Sequence, residues 1–281
     1  MPSNNFIWLK DIRDNVSPLF FILGPCVIES ERHTMMIAEA LKKLSEKIHF
    51  NFVFKSSFDK ANRTALNNFR GIGIDKGLQI LEKVRNEFQV PTITDVHERS
   101  QIKTIARVVD VLQIPAFLCR QTDLLVAAGE SGCVVHIKKG QFIAPEVMAS
   151  VFEKIESTGN HHVWGCERGY TMGYGNLIVD FRNFTILKDL GKPVVFDATH
   201  AVQRPSGLGF SSDGDRKFVA PLAVAAISQG IAGVFMEVHD QPENALCDGP
   251  NSIPLHQVEE LLKYLIDLDT WTKKRKIPQI L

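Results

Sequence analysis

A (β/α)8 barrel, the TIM barrel, is the fold class that three observations predict. Eight apolar runs of strand length recur along the 281 residues, helical patterns lie between most of them, and each run ends in a polar or thiol group. The first run, FFILGPCVI (20–28), is continuously apolar until Gly24 and Pro25 break it, as a strand covered on both faces should be. HTMMIAEALKKLSEKI (33–48) follows with apolar residues at i, i+3, i+4 and i+7, the helical period. FVFKSSF (52–58) is the second run and DKGLQILEKVRNEF (75–88) the next amphipathic pattern. PTITDV (91–96), VLQIPAF (111–117) and VVHIKKG (134–140) are the third to fifth runs, and PEVMASVFEKIE (145–156) is the helix expected after the fifth. HVWGCER (162–168) and PVVFDATH (193–200) are the sixth and seventh. The stretch 219–238 is mostly apolar, but Pro221, Ser228, Gln229, Gly230, Gly233 and Glu237 interrupt it. It divides into a helix (219–229), a glycine turn and a strand rather than one membrane span. That strand opens the eighth run, GVFMEVH (233–239), and VEELLKYLIDL (258–268) is the closing helix. Residues 1–19 precede the first strand as a short N-terminal extension, and no linker or low-complexity tract divides 1–281, which predicts one domain.

Bulk properties narrow the function. Lys plus Arg and Asp plus Glu are both 32, so no global field calls for nucleic acid or an anionic membrane. Any anion site must be local. The five cysteines (Cys26, Cys119, Cys133, Cys166, Cys247) are odd in number and form no CxxC pair, which fits a reducing cytoplasm rather than a disulfide framework. LFFILGPC has the outline of a lipoprotein cleavage region, but Asp11 and Asp14 upstream and Pro25 beside the thiol do not suit a signal peptide.

In a barrel of this class the catalytic groups stand at the C-terminal ends of the strands. Those ends, in order, carry Cys26, Lys55, Asp95, Gln113, Lys138, Arg168, His200 and Glu237, whereas the starts are apolar residues or turn-formers. Two kinds of chemistry are present. Lys55, Lys60, Lys138 and Arg168, with Arg63 nearby, are cations whose burial needs an anionic partner, and several on one rim of a neutral protein point to a polyanionic ligand such as phosphate plus carboxylate. Cys26, His200 and Glu237 end strands one, seven and eight, which are neighbours once the barrel closes. A thiolate, an imidazole and a carboxylate there suit a divalent ion: zinc, iron(II) or manganese. Asp248 or Cys247 offers a fourth ligand, and His136, His162 and His239 are further metal-binding side chains in the same region.

GPCVIES, FKSSFDKANRTA, GLQILEKVR, TDVHE, LQIPAFLCRQTDLL, HIKKGQF, ERG, FDATHAVQRP and CDGPNSIPL occur in this order between about residues 20 and 256. Together they resemble the 3-deoxy-D-manno-octulosonate 8-phosphate synthases. The resemblance implies a homotetrameric TIM barrel that condenses phosphoenolpyruvate with D-arabinose 5-phosphate and water, in lipopolysaccharide precursor biosynthesis. It implies a phosphoenolpyruvate pocket of Lys55, Lys60, Gln113, Lys138 and Arg168, and sugar-phosphate contacts from Asn62 and Arg63, the latter reaching a neighbouring subunit. His200 would stand near the reacting carbons. The family has a metal-free version with Asn at the position of Cys26 and a metal-dependent version with Cys; Cys26, His200, Glu237 and Asp248 match the second, and the CDGP match selects Asp248.

Two other readings remain. The related 3-deoxy-D-arabino-heptulosonate 7-phosphate synthases share the GPC strand and metal set but take erythrose 4-phosphate; they carry Lys-Pro-Arg-Thr where this chain has KANRT (60–64). A catalytically silent metal-binding barrel would keep the ion without the chemistry. The Gly- and Ser-rich segment 203–217 after strand seven has the composition of a lid or of a surface loop.

Overall fold

The structure is a computed structural model and describes residues 6–63, 65–172, 175–204, 213–275 and 280. Among these, eight parallel strands form the barrel: β1 (Phe20–Gly24), β2 (Phe52–Lys55), β3 (Thr92–Asp95), β4 (Val111–Ile114), β5 (Val134–Lys138), β6 (Val163–Glu167), β7 (Val194–Asp197) and β8 (Gly233–His239). Each pairs with the next, and β8 pairs back onto β1 from Phe20↔Gly233 to Gly24↔Glu237, which closes the ring. The helices between them are α1 (Glu31–Ile48), α2 (Ile74–Phe88), α3 (Arg99–Ile105), α4 (Thr122–Glu130), α5 (Met148–Glu156), α6 (Arg182–Asp189) and α7 (Val219–Ile227), and α8 (Val258–Lys273) follows β8. The predicted fold class is the observed one. The stretch 219–238 resolves into α7 and most of β8, and among the described residues no helix is long and apolar enough to cross a membrane.

Several strands end before their apolar runs do, for a local reason. At Gly24 φ is +152°, and a Cβ there would lie 2.0 Å from the Lys55 carbonyl oxygen. Only glycine permits that approach. The chain leaves the sheet at this point, and Cys26, Val27 and Ile28 stay buried in the loop above it. Ser30 then caps α1, its side chain accepting from the His33 N–H at 3.2 Å, so the helix begins two residues before its apolar pattern.

Strand alternation sorts the core into two shells. Phe20, Ile22, Val53, Ile93, Val111, Val134, Trp164, Cys166, Val195 and Phe235 pack together inside the barrel. Their neighbours Phe21, Leu23, Phe54, Val135, Ile137, Phe196, Val234 and Met236 pack outward against the helices. The N-terminal extension belongs to the inner shell: after a short helix, Trp8–Asp11, Leu9 and Ile12 are buried with it. Trp8 stands 6.3 Å from the Phe20 ring, which lies 4.7 Å from that of Trp164. The extension therefore covers the strand-start end of the barrel. Phe20→Ala is expected to cost about 3–5 kcal/mol by opening a cavity under this cover, read as a lowered urea midpoint.

Candidate active site

Period-two alternation carried past the inner shell gives the site. Two residues beyond Val53 is Lys55, beyond Ile93 is Asp95, beyond Val111 is Gln113, beyond Cys166 is Arg168, beyond Val195 is Asp197 and beyond Phe235 is Glu237. Lys138 is four beyond Val134, with His136 between. Each therefore lies on the lumen face at the strands' C-terminal ends. Above them opens a cleft of about 500 Å³, lined by Lys55, Lys60, Asn62, Arg63, Gln113, Lys138, Arg168, His200 and Asp248 among others. Every expected substrate residue lines it. Cys26 and Glu237 are buried behind the lining, 3% and 0% exposed, in contact with the lining residues Asp248 and Lys55.

The lysines of the cleft are held by carboxylates. Lys55 donates to the Cys26 carbonyl at 2.9 Å and to Glu237 Oε1 at 3.3 Å. Lys138 pairs with Asp197 and lies 3.2 Å from the centroid of the Phe235 ring. Lys60 donates to Ser57 Oγ at 3.0 Å and stands 3.8 Å from Asp95. Asp95 also accepts from Ser57 at 2.7 Å and from Gln113, whose Oε1 lies 3.1 Å from His136 Nδ1. Burial alone would raise the Asp95 carboxyl, but Lys60 and Lys55 outweigh it and hold the group far below the usual carboxylate range. His136 is thus a packed side chain held by Gln113 and stacked 6.3 Å from Phe235, away from the metal-binding groups.

Asp197 was not assigned a role from sequence, yet it is a central group. It is fully buried and joins Lys138 to His200, whose Nδ1 lies 2.9 Å from Asp197 Oδ2. Burial would raise its pKa, but His200 and Lys138 overcome that and depress it well below the ordinary value. With Nδ1 on this partner, His200 Nε2 faces Glu237 Oε1 at 3.6 Å and Asp248 Oδ2 at 3.7 Å. Asp197 shares the inward parity of Val195, so alternation was the signal that could have found it.

Two overlapping groups of side chains could hold a metal ion: His200, Glu237 and Asp248, and Cys26, Cys247 and Asp248. Asp248 joins them, accepting from Cys26 Sγ at 3.3 Å and from Gln203 Nε2 at 3.1 Å. Burial pushes the Cys26 thiol well above its ordinary pKa, with Cys247 and Glu237 adding to it. Glu237 Oε2 is buried without a hydrogen-bond partner among the described residues. A divalent cation fits this set: it supplies the positive charge that a buried thiolate and a half-satisfied carboxylate require. Cys247 is also held by Arg63, whose Nη1 lies 2.8 Å from its sulfur. A third group, Glu29, His33 and His239, is separately tied by His239 Nε2–Glu29 at 3.3 Å and His33 Nε2–Asp240 at 2.9 Å. His162 is outside all three groups. In the segment 203–217, Gln203–Arg204 pairs with Asp213–Gly214; residues 205–212, the bulk of the expected lid, lie outside the described residues.

A closed (β/α)8 barrel with a cation-lined cleft and a thiol, an imidazole and carboxylates gathered beside it defines the class: a barrel enzyme equipped for anionic substrates. The family is more specific. The chain belongs to the DAHP synthetase I family, whose model matches residues 11–274. It is 53% identical over 256 residues to the 2-dehydro-3-deoxyphosphooctonate aldolase of Syntrophotalea carbinolica, covering 91% of this chain and 92% of that one. Its identity to the protein of that name from Desulfatibacillum aliphaticivorans is 55% over 250 residues, 89% of this chain and 92% of the relative. With the Francisella tularensis subsp. holarctica protein, also of that name, it is 52% over 261 residues, 93% and 95% of the two chains.

Proposed function

We propose that the chain is a 2-dehydro-3-deoxyphosphooctonate aldolase, that is, a 3-deoxy-D-manno-octulosonate 8-phosphate synthase. It joins phosphoenolpyruvate, D-arabinose 5-phosphate and water into the eight-carbon sugar acid phosphate and inorganic phosphate. The observation that carries this reading is the name shared by relatives 52–55% identical over about nine tenths of the chain. The cleft agrees with it. Carbon 3 of phosphoenolpyruvate forms a bond to the aldehyde carbon of the sugar, water adds at carbon 2, and phosphate leaves by C–O cleavage. Most of that work is the placing of two anions and a water, which fixed cations do by converting an encounter of three molecules into a nearly unimolecular step.

In this reading Lys55, Lys60, Gln113, Lys138 and Arg168 hold phosphoenolpyruvate. Asn62 and Arg63 hold the sugar phosphate, and His200 stands beside the reacting carbons. Asp197, Asp95 and Glu237 aim the lysines at the substrate. Cys26, His200, Glu237 and Asp248 would hold a divalent ion, zinc, iron(II) or manganese, which when bound polarises the sugar aldehyde or lowers the pKa of a water. The same resemblance supports a cytoplasmic homotetramer in which Arg63 serves a neighbouring site. The balanced charge supports small anionic substrates rather than nucleic acid or membrane as partners.

The rival substrate, erythrose 4-phosphate, is disfavoured by KANRT at 60–64 and by the relatives' shared name. The test is phosphate release from phosphoenolpyruvate with each sugar, before and after chelation. Release is expected with arabinose 5-phosphate alone, lost on complete metal removal and restored by a divalent ion. Release with erythrose 4-phosphate alone would reassign the substrate. Release that survives demetallation would remove the ion from the reaction.

A further inference from the structure

We propose that Glu167 and Lys139, a charge pair on the outer side of the barrel wall, are positioning residues for Arg168 and through it for phosphoenolpyruvate. The proposal rests on the reading of the cleft given above. Alternation separates the pair from the site: Arg168 and Lys138 share the inward parity, whereas their neighbours Glu167 and Lys139 point outward. Both outward residues are 0% exposed, and neither lines the cleft. A carboxylate and an ammonium buried this far carry a desolvation cost that apolar residues would avoid. Their presence there calls for a role.

The geometry supplies one. Glu167 Oε1 accepts from the backbone N–H of Arg168 at 2.9 Å and of Gly169 at 2.5 Å. Its other oxygen accepts from Asn183 Nδ2 at 2.8 Å and lies 3.7 Å from Lys139 Nζ. Lys139 Nζ is in turn 3.2 Å from the Gly140 carbonyl and 3.7 Å from the centroid of the Tyr170 ring. The carboxylate thus folds the backbone over directly after β6, with Gly169 at φ +88°. This turn sets the direction in which the Arg168 side chain leaves the strand. Arg168 has little else to hold it. Its guanidinium makes one long bond, Nη2 to Gln203 Oε1 at 3.4 Å, and its buried Nε has no partner among the described residues. An arginine so weakly held from its own side takes its aim from the backbone beneath it.

Two variants test this. Glu167→Asp keeps the charge but shortens the reach to the two N–H groups. Glu167→Gln combined with Lys139→Met removes both buried charges, weakens the acceptor that the two N–H groups share and sets an amide N–H2 against Asn183 Nδ2. The readouts are KM for each substrate, kcat, the Kd of phosphoenolpyruvate alone by calorimetry, and the urea midpoint. Both variants are expected to raise the KM and Kd for phosphoenolpyruvate about tenfold, with KM for arabinose 5-phosphate within about twofold. The double variant should do so at a midpoint close to wild type. A folded variant with unchanged phosphoenolpyruvate affinity, or one that weakens both substrates equally, would overturn the proposal. Wild-type turnover, measured first, tests the reading of the cleft separately.

Discussion

Cys26→Asn is expected to lower the affinity for the divalent ion by on the order of 100-fold or more, because removing a ligand should cost at least as much as the 10–100-fold that loss of a ligand's supporting partner costs. The reason is charge as much as geometry. Burial holds the Cys26 thiol protonated unless a cation is present, so metal binding releases its proton and gains a full negative ligand. Asparagine offers an oxygen but no charge, and it leaves Glu237 and Asp248 to hold the ion with His200. Metal content per subunit after dialysis is the direct measure. A variant that kept a full complement would remove Cys26 from the ligand set. The resemblance implies metal-free relatives with Asn at this position, so any turnover left in the variant should be indifferent to chelator, whereas wild-type turnover should not. The barrel itself should stay folded, because Cys26 sits in the loop above β1 and outside the inner shell of Phe20 and Ile22.

The fold was legible because parallel strands buried on both faces must be written as apolar runs, and all eight are. Their ends were less legible. Val27, Ile28 and Phe58 are as buried as the strands they follow, so hydropathy continues where pairing stops, and only the contact between Gly24 and Lys55 sets the boundary of β1. Lys55, Lys138 and Arg168 of the cleft, and Cys26, His200 and Glu237 beside it, stood out in the sequence because charged or thiol side chains at strand ends contrast with apolar starts, whereas Asp248 was picked out by the CDGP match alone. What was missed is the layer of partners. Asp197 looked like an ordinary strand ending before the more conspicuous His200, and Ser57 lay inside the second predicted run without a role, although each fixes a residue that lines the cleft. Glu167 and Lys139 were hidden for a different reason: adjacent like and unlike charges, KK and ER, reveal which residue faces in only when the parity of each strand is counted from its start.

Asp197→Asn should be more damaging to catalysis than its distance from the substrate suggests, with kcat reduced by about 10²–10⁴. In a hydrolase triad, the same exchange of the buried Asp behind a histidine lowers kcat by about 10⁴ through the wrong tautomer. Here the amide would release Lys138 and no longer hold Nδ1 of His200, so both the substrate cation and Nε2 would lose their orientation. Stability should fall too, by roughly 3–5 kcal/mol, since one partner of a buried ion pair is left uncompensated. The pH dependence distinguishes this from simple loss of packing. The carboxyl's folded pKa lies well below its value of about 3.9 in an unfolded chain. Its contribution to stability is therefore complete above that unfolded value and is lost as pH falls toward the folded one. Urea midpoints of wild type and variant should differ by a constant amount from about pH 5 to 7 and should converge on acidification below about pH 4. A gap that stayed constant into acid would mean that Asp197 acts through shape alone, and that Lys138 and His200 are held by something other than its charge.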